Sequence, residues 1–387
     1  MLLFVFACVL PAFGVSLLTT AFVRKRAESW GLVDNPGARK VHQIPTPMGG
    51  GIGIWAGVVL PLAIAQLLLM TPMTREWAAS FLPSGVSLTG LIEKSRLLWI
   101  ILGGGTLLSV MGLIDDLKNL PWQPRLAIQF FVAIGLVWSG VSASVFVPYP
   151  IVGKAITVVW LLVLINAFNF LDNMDGLSSG IALVGAVVFS IVMLVSIGEP
   201  RWLVGGVLLI LSGALAGFLV FNWSPASVFM GDTGSYFIGL IMGSMTIVGT
   251  FYESNQSRHV ILAPLFVLAV PLYDFCSVLI IRLREGRSPF HADKKHFSHR
   301  LVELGLRKSH AVLTIHLATL TTGLGALLLY EVRGWTGACV ITGLVFCVLA
   351  IISILETVGR TTVANVVAES GAHATAASTT DDGPTNE

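Results

Sequence analysis

Apolar runs long enough to cross a bilayer recur along the whole chain, separated by polar stretches. A transmembrane helix needs about 20 apolar residues. The pattern predicts eleven spans, at roughly 1–23, 49–70, 97–114, 125–147, 151–170, 176–197, 202–222, 235–251, 259–281, 310–330 and 336–356. A membrane β-barrel would instead show short segments of alternating polarity, and these are absent. The expected fold is an all-α polytopic membrane protein, with residues 1–361 as one integral membrane domain. No internal repeat interrupts it. From Thr362 the chain turns to Ala, Thr, Ser and Asp, which predicts a disordered tail over 362–387. The first apolar run lacks a basic leader and its positive charges follow it, so it reads as a retained span and not as a signal peptide.

Composition sharpens this picture. Of 387 residues, 55% are hydrophobic and 11% charged, against about 25% charged in soluble domains. Mean hydropathy is +0.85. Cys8, Cys276, Cys339 and Cys347 all lie in apolar runs without metal-ligand spacing and read as small apolar residues. Placing the loop after the first span in the cytoplasm puts 16 of the 23 Lys and Arg inside, as the positive-inside rule asks. Five polar stretches then share the cytoplasmic face: Arg39–Gly51, Asp115–Arg125, Asn166–Gly180, Asn222–Ser235 and Arg282–Lys308.

Their residue types point to phosphate chemistry. In NAFNFLDNMDGLSSG, spacings of three set Asn166, Asn169, Asp172 and Asp175 on one helical face or its fraying end. Such a cluster at a membrane boundary is costly unless it binds something, although a polar turn between helices would read the same way. Asp115 and Asp116 end a helix, where the dipole disfavours carboxylates. A divalent cation or a basic side chain would offset this. Oxygen-rich sites of this kind suit Mg²⁺, and one of the pair could serve as a general base. Asp232 in VFMGDTGS is either an N-cap or a third carboxylate of the same site. The first loop, RKVHQIPTPMGG, offers Lys40 and His42 to anionic groups or serves only as a topology anchor. The last loop carries eight Lys or Arg together with His291, His296, His299 and His310. Without cysteine nearby, zinc is not the expected ligand. Basic side chains facing several aspartates fit a phosphorylated substrate, and no ATP-binding loop of the GxxxxGK[ST] kind is present.

Taken together, HQIPTPMGG, DDLKNLPW, NAFNFLDNMDGL, VFMGDTGS and PFHADKKHFSHRL resemble the motifs of the polyprenyl-phosphate N-acetylhexosamine-1-phosphate transferases, glycosyltransferase family 4. The resemblance covers roughly Asp34–His310. It implies transfer of a sugar 1-phosphate from a UDP-amino sugar to undecaprenyl phosphate, with release of UMP, in a bacterial inner membrane with the active site cytoplasmic. It also implies Mg²⁺, with Mn²⁺ as the alternative ion, and no nucleic-acid partner; a homodimer stays open. By position, Asp232 matches the metal ligand and Asn169 a second ligand or diphosphate neighbour. Asp115 and Asp116 match the aspartate pair, Asp115 being the candidate for assisting attack by the lipid phosphate. Asp172 and Asp175 match residues near the nucleotide, as do Lys40 and His42. Arg125 falls where relatives carry a basic residue near the phosphates. His296, His299 and Arg300 match the loop facing the sugar diphosphate.

The chain departs from the family pattern at Asn173, where many relatives have Gly, and at Ser298, where a histidine is expected; Leu117 and Lys118 follow some branches only. Eleven spans and the ADKKH lead favour the N-acetylglucosamine branch over the ten-span phospho-N-acetylmuramoyl-pentapeptide branch. A direct displacement needs no protein nucleophile, whereas a two-step route would use one such as Asp115. A transporter would place its ionisable residues nearer the midplane.

Overall fold

In hydrocarbon every backbone N–H and C=O must be satisfied within the protein, so long apolar runs fold as helices. The computed structural model describes residues 1–34, 45–80, 82–83, 86, 88–143, 149–249, 258–289 and 295–355. Lys40, His42, His291 and the 362–387 tail lie outside them. The helices are α1 (Leu2–Arg26), α2 (Gly50–Met70), α3 (Pro72–Ala79), α4 (Leu88–Lys118), α5 (Trp122–Trp138), α6 (Pro150–Leu171), α7 (Leu177–Ile191), α8 (Trp202–Asn222), α9 (Asp232–Gly249), α10 (Ala263–Val267), α11 (Ala269–Arg284), α12 (Phe297–Glu303) and α13 (Lys308–Glu331). A last helix, α14, spans Trp335–Leu355. A π-helical turn, Val192–Ser196, extends α7.

Among the described residues, eight helices are long and apolar enough to cross a membrane. The segment through α10 and α11, bent by 68°, raises this to nine. The eleven expected spans therefore do not all qualify by length and composition. α5 has 17 residues, because Gly140, at φ 108°, follows its C-cap and ends the expected 125–147 run early. α9 begins at Asp232 and is rich in Gly, Ser and Thr. Nearly all of its residues are buried, so it needs no lipid-facing apolar surface.

α9 is the central post. It packs against α4, α6, α2, α8 and α7, while α1 covers α2 and α8, and α13 covers α7. Lipid tails are as apolar as leucine, so membrane helices associate by close packing, and small residues make that possible. A Cβ at Gly51 would lie 2.2 Å from the Gly234 nitrogen, and one at Gly112 would lie 2.4 Å from the Asp232 carbonyl carbon. These two contacts bring α2 and α4 against the start of α9. Backbone bonds reinforce them: Gly50 and Gly51 donate to the carbonyls of Phe229 and Met230, and Phe229 donates to Pro47. Pro47 belongs to a two-residue antiparallel ribbon, Val33–Asp34 with Thr46–Pro47.

Exposed apolar side chains such as Phe6, Leu18, Phe131, Leu344 and Phe346 form the lipid-facing surface. Exposed Trp30, Trp122 and Trp223 sit at the helix ends near the α9 N-terminus, and Trp138, Tyr149 and Trp335 sit at the opposite ends, as in the aromatic belts of membrane proteins. Replacing Gly112 with Val should force α4 away from α9 and destabilise the protein by about 1–3 kcal/mol, the usual cost of overpacking. The check is the thermal midpoint of the detergent-purified variant, and a midpoint equal to that of the parent would show that the contact is not tight.

Candidate active site

The site grows from the N-terminus of α9. Its first amides have no partner within the helix, and a side chain from α4 supplies one. Asp116 Oδ1 accepts from the Asp232 amide at 2.9 Å, and Oδ2 accepts from the Thr233 amide at 3.3 Å and the Thr233 hydroxyl at 2.9 Å. The neighbouring aspartate faces elsewhere. Asp115 is 6% exposed and accepts from the Leu120 amide and from Arg125 Nη1, both at 2.6 Å.

Arg125 joins the two halves of the site. The same Nη1 lies 3.3 Å from Asp232 Oδ2 and 3.4 Å from the Tyr236 hydroxyl. Asp232 Oδ2 also accepts from that hydroxyl at 2.8 Å, and Oδ1 accepts from Asn169 Nδ2 at 2.7 Å. Asn169 Nδ2 reaches Ser235 Oγ at 3.1 Å. Residues from α4 and α9 thus meet at one guanidinium nitrogen of α5, and α6 reaches the same cluster through Asn169 and Asp232.

α6 ends at Leu171, so Asp172 and Asp175 sit on the turn that follows. Burial pushes the Asp172 carboxyl up to about 8, with the charges of Asp116 and Asp175 adding to this against a backbone hydrogen bond from Gly231. Asp175 Oδ2 accepts from the Ala226 amide at 3.0 Å. Buried Asn222 ties the same turn to the loop before α9. It accepts from the Gly176 amide and Ser179 Oγ, and donates to the Val228 carbonyl. Ser298, from α12, donates to Asn173 Oδ1 at 2.7 Å, which ties α12 to the turn after α6.

The histidine segment packs behind this turn. His296 Nδ1 lies 2.9 Å from Asp274 Oδ2, and the Phe297 amide donates to Asp274 Oδ1 at 2.6 Å. The His296 ring is edge-on to Phe170, with centroids 5.8 Å apart, and 6.4 Å from the ring of His299. Arg300 is buried and donates to Ser277 Oγ, so its guanidinium is directed at α11. Arg282 lies over the Phe170 ring at 4.9 Å.

Of the sequence-predicted residues, Asp115, Asp116, Arg125, Asn169 and Asp232 come together. Asp172 and Asp175 flank them on the turn, with His296 and His299 behind. Asn166 does not join: it donates to Gln129 Oε1 at 2.7 Å, in a polar pair between α6 and α5. Of the two expected arrangements, one helical face or its fraying end, the second is found for Asn169, Asp172 and Asp175, because α6 stops at Leu171. Asp274, Tyr236 and Gln129 were not anticipated. The signal for Asp274 was present, since a carboxylate inside the apolar run VPLYDFCSVL is rare without a function.

Among the described residues no three His, Cys, Asp or Glu side chains converge as a ready-made metal site. The donors at the centre are nonetheless all oxygen or amide groups, the chemistry that suits a hard divalent cation. Asp115 and Asp232 already share one cationic nitrogen, that of Arg125. Removing the Asp116 carboxylate should strand the first amides of α9 and destabilise the protein by roughly 2–3 kcal/mol, the scale of a charged hydrogen-bond acceptor. Thermal melts of Asp116→Ala beside Asp116→Asn check this; equal stability of Asp116→Ala and the parent would remove the capping role.

The chain is similar to known proteins across most of its length. The sequence profile of glycosyl transferase family 4 matches residues 98–250, which run from α4 through α9. The "Decaprenyl-phosphate N-acetylglucosaminephosphotransferase" of Mycolicibacterium smegmatis is 32% identical over 80% of this chain and 78% of its own length. The "Probable undecaprenyl-phosphate N-acetylglucosaminyl 1-phosphate transferase" of Bacillus subtilis is 29% identical over 86% and 88%. The "Undecaprenyl-phosphate alpha-N-acetylglucosaminyl 1-phosphate transferase" of Escherichia coli is 28% identical over 82% and 83%. With relatives this similar aligned across most of both chains, and with four helices of the matched segment building the carboxylate cluster, this protein belongs to glycosyl transferase family 4.

Proposed function

We propose that this protein transfers N-acetylglucosamine 1-phosphate, or a closely related amino-sugar 1-phosphate, from its UDP derivative to a polyprenyl phosphate such as undecaprenyl phosphate. The products are a polyprenyl-diphospho-sugar and UMP. The observation that carries this reading is the gathering of Asp115, Asp116, Asn169 and Asp232 around Arg125 at one end of the helix bundle. The names of the similar proteins supply the substrate class. The Lys and Arg bias supports a cytoplasmic site in the plasma membrane of a bacterium.

In this reading an oxygen of the lipid phosphate attacks the β-phosphorus of the UDP-sugar, the bond to the bridging oxygen breaks, and UMP leaves with that oxygen. Positioning and charge neutralisation supply most of the rate. Asp232 and Asn169 would hold Mg²⁺ or Mn²⁺, whose chemistry there is to neutralise diphosphate charge. Arg125 adds a fixed positive charge between Asp115 and Asp232. Both oxygens of Asp115 already accept short hydrogen bonds, which lowers the nucleophilicity of the carboxylate and favours a direct displacement, with Asp115 holding Arg125 in place. The turn carrying Asp172 and Asp175 borders the nucleotide, and the segment of His296 and His299 borders the sugar.

The test is UMP release by the purified protein with undecaprenyl phosphate, Mg²⁺ and UDP-N-acetylglucosamine. The expected result is turnover that EDTA abolishes and that Asp232→Asn lowers about 100-fold or more. UMP released only from a UDP-muramoyl-pentapeptide, or undiminished turnover by Asp232→Asn, would overturn the donor assignment or the role of Asp232 respectively.

A further inference from the structure

Asp274 is fully buried in α11, in an otherwise apolar stretch. An ionisable group there is expensive to bury, and each of its oxygens is used. Oδ1 takes the Phe297 amide, at the first residue of α12, and Oδ2 takes His296 Nδ1. Anchoring α12 would need only the first of these bonds, and a neutral amide could make it. The second bond goes to an imidazole whose ring lies against Phe170 and His299. Phe170 is the chain neighbour of Asn169, which touches Asp232.

We propose that Asp274 is a positioning residue of the transfer reaction: its carboxylate fixes the ring orientation and tautomer of His296 and leaves Nε2 as the nitrogen presented to the donor substrate. An ionised carboxylate can only accept hydrogen bonds, so the Nδ1 facing it carries a proton whether the ring is neutral or charged. An asparagine in the same place would keep an acceptor for the Phe297 amide. It would also turn an N–H toward His296, leaving Nδ1 to accept and moving the ring proton to Nε2. Shape is kept while the tautomer inverts, and this separates a positioning role from a structural one. The inference rests on the transferase reading above. It is measured against wild-type turnover, so that a failure of that reading shows in the wild type and a failure of this inference shows only in the variants.

The experiment compares Asp274→Asn, His296→Gln and the double variant, using the full chain in detergent, polyprenyl phosphate and the UDP-amino sugar that the wild type turns over. Asp274→Asn should lower kcat about 10-fold or more, the range running from the outer partners of a metal-bound histidine to the Asp→Asn change beside a catalytic imidazole. The KM for polyprenyl phosphate and the thermal midpoint should stay near the wild-type values. In the His296→Gln background, Asp274→Asn should lower kcat no further, because the two residues act as one unit. Full activity in Asp274→Asn, or losses that multiply in the double variant, would overturn the proposal. Should Asp274→Asn fail to fold, His296→Asn decides instead. Its amide can still donate to Asp274 at the place of Nδ1 but has no atom at Nε2. A folded, inactive His296→Asn supports the proposal, and a folded, fully active one overturns it.

Discussion

The carboxylate of Asp116 at the start of α9 is the interaction on which the rest of the site depends. Three donors from Asp232 and Thr233 converge on it, and it sits at the positive end of the α9 dipole, where a negative charge is favoured. The contact can form only because Gly112, one turn earlier on α4, lets that helix touch the Asp232 backbone. With α9 seated in this way, the side chain of Asp232 is aimed at Arg125 and Asn169. The register of α4 then decides the work of each adjacent aspartate. Asp116 holds the architecture, and Asp115, about 100° around the helix, faces the basic residue of α5.

The charge balance around this contact explains why the cluster is tolerable. Asp115, Asp116, Asp172 and Asp232 lie close together, and Arg125 is the cation placed among them. Asp115 is buried, and removing its partly exposed partner Arg125 would leave its charge uncompensated, so Arg125 cannot be read as an ornament of a polar turn. The surplus of carboxylate is still larger than one guanidinium can neutralise. Burial and the neighbouring acids hold the Asp172 proton to higher pH than usual. The anionic substrate and the anionic protein are reconciled only through positive charge held between them.

The sequence made the helices legible because apolar runs and polar breaks follow directly from the bilayer. It was less informative about their lengths. α5 ends where a positive-φ glycine stops it, and α9 is enclosed by other helices and has no need of a lipid-like sequence. The main site residues were legible as residue types at one membrane face. Their pairing was not, since Asp116 and Asp232 are 116 positions apart and no local spacing encodes that contact. Asn166 looked like a member of the site because periodicity was extended past the end of α6, and its true partner, Gln129, lies on another helix. Asp274 was visible as a lone carboxylate in an apolar run, but its partner His296 lies 22 positions away on another segment, and no local spacing encodes that pair.

The bond between Asn173 and Ser298 joins two segments that lie 125 positions apart in the chain. Asn173 lies on the turn after α6, and Ser298 lies on α12. Ser298 is fully buried, so its hydroxyl needs a partner, and Asn173 Oδ1 provides one. A glycine at 173 would offer no side-chain acceptor and would leave a buried hydroxyl at a cost of about 1–3 kcal/mol. Asn173 in turn is held by donating to the Phe170 carbonyl, and Phe170 carries the contacts to His296 and Arg282. The turn bearing Asp172 and Asp175 and the histidine segment are therefore one mechanical unit. A change on either side of the 173–298 bond acts on the other, and the two positions have to be read together.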